Sequence, residues 1–126
     1  MDENQPSQII LESAIEVHRT LGGPGLIQSV YREAPAFEIR RRNVEVEQEK
    51  RVPVNCEGQI LSAPVRLDLL VGDLVIVKCK ATTQYHPIFE SQTLTYLRLT
   101  GLKPGLVVNF GQRLVKHGIH RVVNGL

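Results

Sequence analysis

The chain reads as a single α/β domain: a mixed β-sheet flanked by helices. Three observations predict this. Two segments with helical spacing open the chain. A block of strand-like text follows, built around a hairpin signal at Gly72-Asp73. A third helical segment then crosses over into two further strands, which requires a parallel pairing inside an otherwise antiparallel sheet.

Each element has its own warrant. Residues 1–6 are polar and are expected to be loose. From Ser7 to Leu21, Ile10, Ala14, Val17 and Leu21 recur on one helical face, and Gly22-Gly23-Pro24-Gly25 ends the helix in a turn. A second helix is expected from Leu26 to Arg42, with Ile27, Val30, Ala34, Phe37 and Arg41 on one side. Pro35 in its interior predicts a bend near Tyr31–Pro35. Residues 44–49 alternate valine with glutamate, a half-exposed strand that continues toward Cys56 after an interruption at Pro53. Glu57-Gly58 makes a turn. Ala63–Val71 and Leu74–Ala81 are aliphatic strands. His86-Pro87 opens a helix that runs to Leu99, with Gly101 as its stop. Gly105–Phe110 and Ile119–Val123 complete the sheet.

Composition bounds the class of function. The 126 residues are 42% hydrophobic and 22% charged, as in an ordinary globular domain. No apolar run approaches the ~20 residues of a membrane helix. No signal peptide is expected, and two cysteines, Cys56 and Cys79, give no disulfide framework, so a cytoplasmic setting is expected. The net charge of +2 is uneven. Residues 1–73 carry 8 Lys/Arg against 12 Asp/Glu, whereas residues 74–126 carry 7 against the one acid Glu90. A basic second half suits a phosphate-bearing partner, although folding interleaves charges along the chain.

The hairpin register decides which side chains meet. A two-residue loop would mix lysine and aliphatic positions on both faces. A three-residue loop pairs Val71 with Val75 and Asp68 with Lys78, and gives one apolar face: Val65, Leu67, Leu69, Val71, Val75, Val77, Cys79 and Ala81. We therefore expect the longer loop. On the opposite face Arg66, Asp68, Lys78 and Lys80 then converge, either as a salt-bridged cluster or as a polar site at a cleft edge.

These segments resemble the small bacterial GxxExxY proteins, which are assigned to the PD-(D/E)xK nuclease superfamily. The matching blocks are GLIQSVYREA at 25–34, RLDLLV at 66–71, VIVKCKA at 75–81, ESQTLTYLRLTGL at 90–102, GLVVNF at 105–110 and HRVVN at 120–124. The resemblance implies a restriction-endonuclease-like core and Mg²⁺-dependent phosphodiester hydrolysis. In that scheme an Asp and a Glu on adjacent strands hold the metal, a Lys two residues after the Glu assists the attacking water, and a helix adds another Glu. Asp68 matches the strand Asp and metal ligand, and Lys80 the catalytic Lys. Gln92 and Tyr96 match a Q-x-x-x-Y element that lies near the nucleic acid in RecB-like members.

Two positions depart from this pattern. Gln28 stands where GxxExxY has Glu, and Lys78 stands where the E-x-K element has Glu. Lysine offers three donors and no acceptor. Two like charges about 4 Å apart repel by ~4 kcal/mol at an effective dielectric near 20, and a doubly charged ion feels about twice that. The expectation is a nuclease-like protein whose Mg²⁺ site is degraded and which binds nucleic acid or a partner without efficient cleavage. Lys78 is expected to pair with Asp68 in the metal's place, leaving Lys80 and Arg66 free for phosphate. No cofactor is then required. Two alternatives are an active Mg²⁺ nuclease using Asp68, Lys80 and a substitute carboxylate such as Glu90, and a structural or oligomerising module. A homodimer is compatible with the resemblance, since superfamily members often pair. His86 reads as a helix cap, with a catalytic base as the alternative, and Tyr31 and Tyr96 read as cleft or core.

Overall fold

The Gly72-Asp73 turn sets the register of the central sheet. Both residues adopt left-handed backbone, with φ of 59° and 56°, and the Leu74 N–H donates to the Val71 carbonyl at 3.0 Å. Leu74 is the third loop residue, so Val71 pairs with Val75 and Leu69 with Val77. The longer loop expected from the side-chain pattern is the one present.

The structure is a computed structural model that describes residues 4–23, 25–26 and 28–125. Helix α1 spans Asn4–Leu21 and α2 Val30–Arg41; strands β1 (Val46–Val52), β2 (Asn55–Cys56), β3 (Gln59–Ile60), β4 (Val65–Val71) and β5 (Val75–Lys80) follow. Helix α3 spans Ile88–Thr100, β6 Pro104–Asn109, and a 3-10 turn at Val115–Gly118 leads into β7, Ile119–Val123. The main sheet has the order β1-β4-β5-β6-β7. Its pairings are antiparallel except β5 with β6, which the α3 crossover makes parallel. It is a single α/β domain with a mixed five-stranded sheet and helices on both faces, consistent with a restriction-endonuclease-like core.

Boundaries differ from expectation where local chemistry overrides spacing. Helix α1 begins at Asn4, so residues 4–6 are not loose; Pro6 sits in the first turn, where its missing donor costs nothing, and is buried. Residues 1–3 lie outside the described residues. Helix α2 begins at Val30 rather than Leu26, because the Gln28 carbonyl takes the Tyr31 N–H and the Ser29 carbonyl takes the Glu33 N–H. Pro24 and Ile27, assigned to the turn and the second helix, lie outside the described residues. Helix α2 runs on through Pro35. Strand β1 starts at Val46, and the chain past Pro53 forms a separate β2–β3 hairpin whose turn residues Glu57 and Gly58 both have positive φ.

Two apolar layers cover the sheet. On one face Ile10, Ala14 and Val17 of α1 and Tyr31, Ala36 and Ile39 of α2 pack on Leu69, Val71, Val75, Val77 and Cys79. On the other, Leu97 of α3 packs with Leu67, Leu70, Ile76, Val107 and Val122. Leu67 departs from the expected face: it joins Leu70, three residues on, rather than Leu69. The alternation slips at Asp68, and across from it in β1 Glu49 adopts φ of 51° between the pairs Gln48–Leu69 and Lys50–Leu67.

At the C-terminal ends of β5 and β6, one buried side chain ties two loops together. The Asn109 Oδ1 accepts from the N–H groups of Thr82 and Gly111, both at 3.0 Å, and its Nδ2 donates to the Thr82 carbonyl at 3.0 Å. The approach is so close that a Cβ on Gly111 would lie 2.0 Å from the Thr82 oxygen. Asn109→Ala removes three bonds to half-buried backbone groups and is expected to cost roughly 1–3 kcal/mol, read as a fall in the urea midpoint. A change within about 0.5 kcal/mol would show that these bonds carry no stability.

Candidate functional site

The site forms where β4 leaves β5. Ladder pairing between them stops at Leu69–Val77, although the strands themselves reach back to Val65 and on to Lys80. In a strand, one residue's N–H and C=O point to the same side. The Lys80 carbonyl points to β6, accepting the Phe110 N–H at 2.7 Å, so Cys79 turns its groups toward the gap left by β4. Buried backbone groups need partners. The Asp68 carboxylate accepts the Cys79 N–H at 2.8 Å, and the Gln28 amide donates to the Cys79 carbonyl. The two side chains together replace a missing stretch of ladder.

Gln28 reaches Cys79 from the turn before α2. That turn is anchored by Tyr31, which is fully buried, stacks on Phe110 at 5.3 Å and accepts the Leu26 N–H through its hydroxyl. Tyr31 is core, not cleft. The lysines alternate with Cys79 on β5 and face α3. The Lys78 ammonium lies 5.7 Å from the Tyr96 ring centroid, and that of Lys80 lies 4.7 Å from the Phe89 centroid. Such contacts are worth about 0.5–2 kcal/mol, more when shielded from water. Gln92 is exposed on α3, a turn after Phe89 and a turn before Tyr96.

The expected convergence of Arg66, Asp68, Lys78 and Lys80 holds in part. No Lys78–Asp68 ion pair forms within 4 Å among the described residues, contrary to expectation, because the Asp68 carboxylate is turned to the Cys79 N–H and the ammonium to Tyr96. Arg66 is not free beside the lysines either. It lies 3.9 Å from Glu49, whose same oxygen is 3.4 Å from Arg32 of α2. The slip in alternation at Asp68 accounts for this turn toward α2. At about half exposure these pairs contribute ~0–1 kcal/mol.

Several partners escaped the sequence reading. Phe89 sits under Lys80. Tyr85 stacks on His120 at 4.1 Å and donates its hydroxyl to Glu90 at 3.0 Å. Burial, then that bond, push the Tyr85 hydroxyl well above its ordinary value. Glu90 in the first turn of α3 is therefore occupied by Tyr85. His86 caps the helix, its Nδ1 accepting the Ile88 N–H at 2.9 Å. Spacing gave no signal for Tyr85–Glu90, since Tyr85 precedes the helix. Phe89, however, lies seven residues before Tyr96 and was open to a helical-face argument.

The electrostatics follow from burial. Desolvation lowers the Lys78 ammonium below its ordinary value of 10.5; Asp68 opposes this, whereas Lys80 and Arg32 add to it. The Cys79 thiol is fully buried and pushed well up by desolvation and then by Asp68, so it stays neutral. The donor set does not fit a divalent cation such as Mg²⁺, which takes oxygen ligands in octahedral geometry. One Asp68 oxygen and the Cys79 carbonyl already hold protein donors, Gln28 presents its NH₂, and Lys78 adds a cation. Among the described residues no group of three or more His, Cys, Asp or Glu is arranged to hold a metal ion.

Comparison with known proteins agrees with the fold. Residues 4–122 match the PD-(D/E)XK nuclease superfamily, and the chain belongs to that family. No curated protein matches it in sequence. Among solved structures, one described as the crystal structure of SSO0001 overlays with a TM-score of 0.46 at 13% identity, covering 95% of this chain and 78% of that one. Among the described residues no helix is long and apolar enough to cross a membrane.

Because burial lowers Lys78, the unfolded chain holds more protons than the folded one between that lowered value and 10.5, and stability rises with pH across this window. Lys78→Met is expected to raise the urea midpoint at pH 7, with the lost Tyr96 contact limiting the gain. The advantage is expected to shrink as the pH approaches 10.5. A gap that stays constant or widens with pH would contradict the assignment.

Proposed function

We propose that this chain binds the phosphodiester backbone of nucleic acid and does not cleave it with a metal ion. The observation that carries the reading is the shared use of Cys79: the Asp68 carboxylate and the Gln28 amide hold its N–H and C=O, with the Lys78 ammonium in the neighbouring position on β5. Groups that would face a cation are committed to the protein itself. Lys78 and Lys80 remain as two cations without a carboxylate partner among the described ion pairs. Lysine is a compact donor suited to phosphate oxygens. Gln92, exposed on the adjoining helix face, and Tyr96 line the same approach.

The cleaving alternative requires Glu90 as a replacement ligand, and the hydrogen bond from Tyr85 opposes it. The narrower kinship with GxxExxY proteins belongs to the same reading, as does a reducing, cytoplasmic setting suited to two free cysteines. In this account Asp68 and Gln28 are positioning groups for β5, while Lys78 and Lys80 meet the ligand.

Fluorescence anisotropy with labelled duplex and single-stranded oligonucleotides, from 50 to 300 mM salt, tests the proposal. The log of the affinity is expected to fall linearly with log salt, and Lys80→Ala is expected to lessen the slope by about 0.7–0.9. The same oligonucleotides incubated with Mg²⁺ or Mn²⁺ are expected to stay intact. Metal-dependent cleavage abolished by Asp68→Ala, or affinity indifferent to salt and to Lys80, would overturn the reading.

A further inference from the structure

Lys78 has a property that phosphate binding alone does not use. Its amine is half-buried against Tyr96, with no carboxylate within 4 Å among the described residues. Lys80 stands two residues on along the same side of β5. A lysine becomes a nucleophile when desolvated or set beside another cation, since both favour the free amine. Both conditions are met here. The charged groups acting on Lys78 are Lys80 and Arg32, which favour the free amine, and Asp68, which opposes it; the Cys79 thiol beside it is neutral, and desolvation is the largest of these influences.

An amine beside a sugar–phosphate backbone has few electrophiles within reach. An intact nucleotide sugar carries no carbonyl. A deoxyribose that has lost its base does, because its ring opens to an aldehyde at C1′. We infer that Lys78 forms a reversible imine with the C1′ aldehyde of an abasic nucleotide, with Lys80 holding a flanking phosphate. The inference rests on the backbone-binding reading above and adds the substrate class to it. The Lys78 Nζ lone pair attacks C1′, and the carbonyl π pair moves to oxygen. The nitrogen gives up its protons as the carbinolamine loses one water, and a C=N bond replaces C=O. No oxidant, metal or co-reactant is needed. Tyr96 shields one side of the amine from water, which favours the imine over its hydrolysis.

The test uses the full chain and a 5′-labelled oligonucleotide with one abasic site, with an intact oligonucleotide as control. Sodium cyanoborohydride reduces any imine to a stable amine, seen as a slow band on a denaturing gel. The wild type is expected to give an adduct with the abasic strand only. Adduct per bound complex is expected to fall at least tenfold in Lys78→Arg. Peptide mapping of the wild-type adduct is expected to place it on Lys78, a result that does not depend on any variant folding. No wild-type adduct, adduct undiminished in Lys78→Arg, or an adduct mapped to another amine would overturn the inference. Anisotropy on the intact strand separates the two claims. Binding without adduct removes this inference alone, and absence of binding removes both.

Discussion

Where β4 leaves β5, the N–H and C=O of Cys79 lose the partners an antiparallel ladder would supply. Cys79 is fully buried, so water does not replace them, and leaving them unpaired would cost about 1–3 kcal/mol each. The Asp68 carboxylate and the Gln28 amide close both valences. Most of the site follows from that requirement. The Gln28 side chain must reach across from the turn before α2, so that turn is pinned by the buried Tyr31, and α2 starts only at Val30. With the Cys79 side chain packed in the α1–α2 layer, alternation directs the side chains of Lys78 and Lys80 to α3, where Tyr96 and Phe89 receive their ammonium groups.

The same arrangement sets the electrostatic character of the site. A cluster of carboxylates at a strand divergence repels itself and is relieved by a cation from solution. Here one carboxylate accepts a backbone donor, and the positive charge is covalently attached to the chain. In the proposed reading the site attracts anions rather than divalent cations. The carboxylates near it are drawn elsewhere: Glu49 to Arg32 and Arg66, and Glu90 to Tyr85. The family to which the chain belongs defines the fold, and the proposed function rests on the donor set on β4 and β5.

Much of this was legible in the residues. The apolar face through Leu69, Val71, Val75 and Val77 required a three-residue loop, and the register agrees. The α3 boundaries followed from Pro87 and from Gly101, which adopts φ of 75° past the helix end. What escaped has a common cause. Strict alternation places Leu67 with Leu69 and Arg66 with Lys78, but Glu49 across from Asp68 takes a positive φ, and Leu67 and Arg66 beyond the slip change face. Alternation has no memory of such a slip. The Lys78–Asp68 pairing failed because a charge-only argument ignores the backbone N–H that competes for the carboxylate. Gln28 was recognised as a site position, but its bond to a main-chain carbonyl 51 residues away has no sequence signature.

The closing of Cys79 by Asp68 and Gln28 is most directly tested by adding trace Mn²⁺ to ¹⁵N-labelled protein and following paramagnetic broadening of the amide resonances. The account predicts no selective loss at Asp68, Lys78 or Cys79 beyond that at scattered surface carboxylates. Selective broadening centred on Asp68 and Cys79 at micromolar Mn²⁺ would mean that an ion displaces these bonds and that the site is still a metal site.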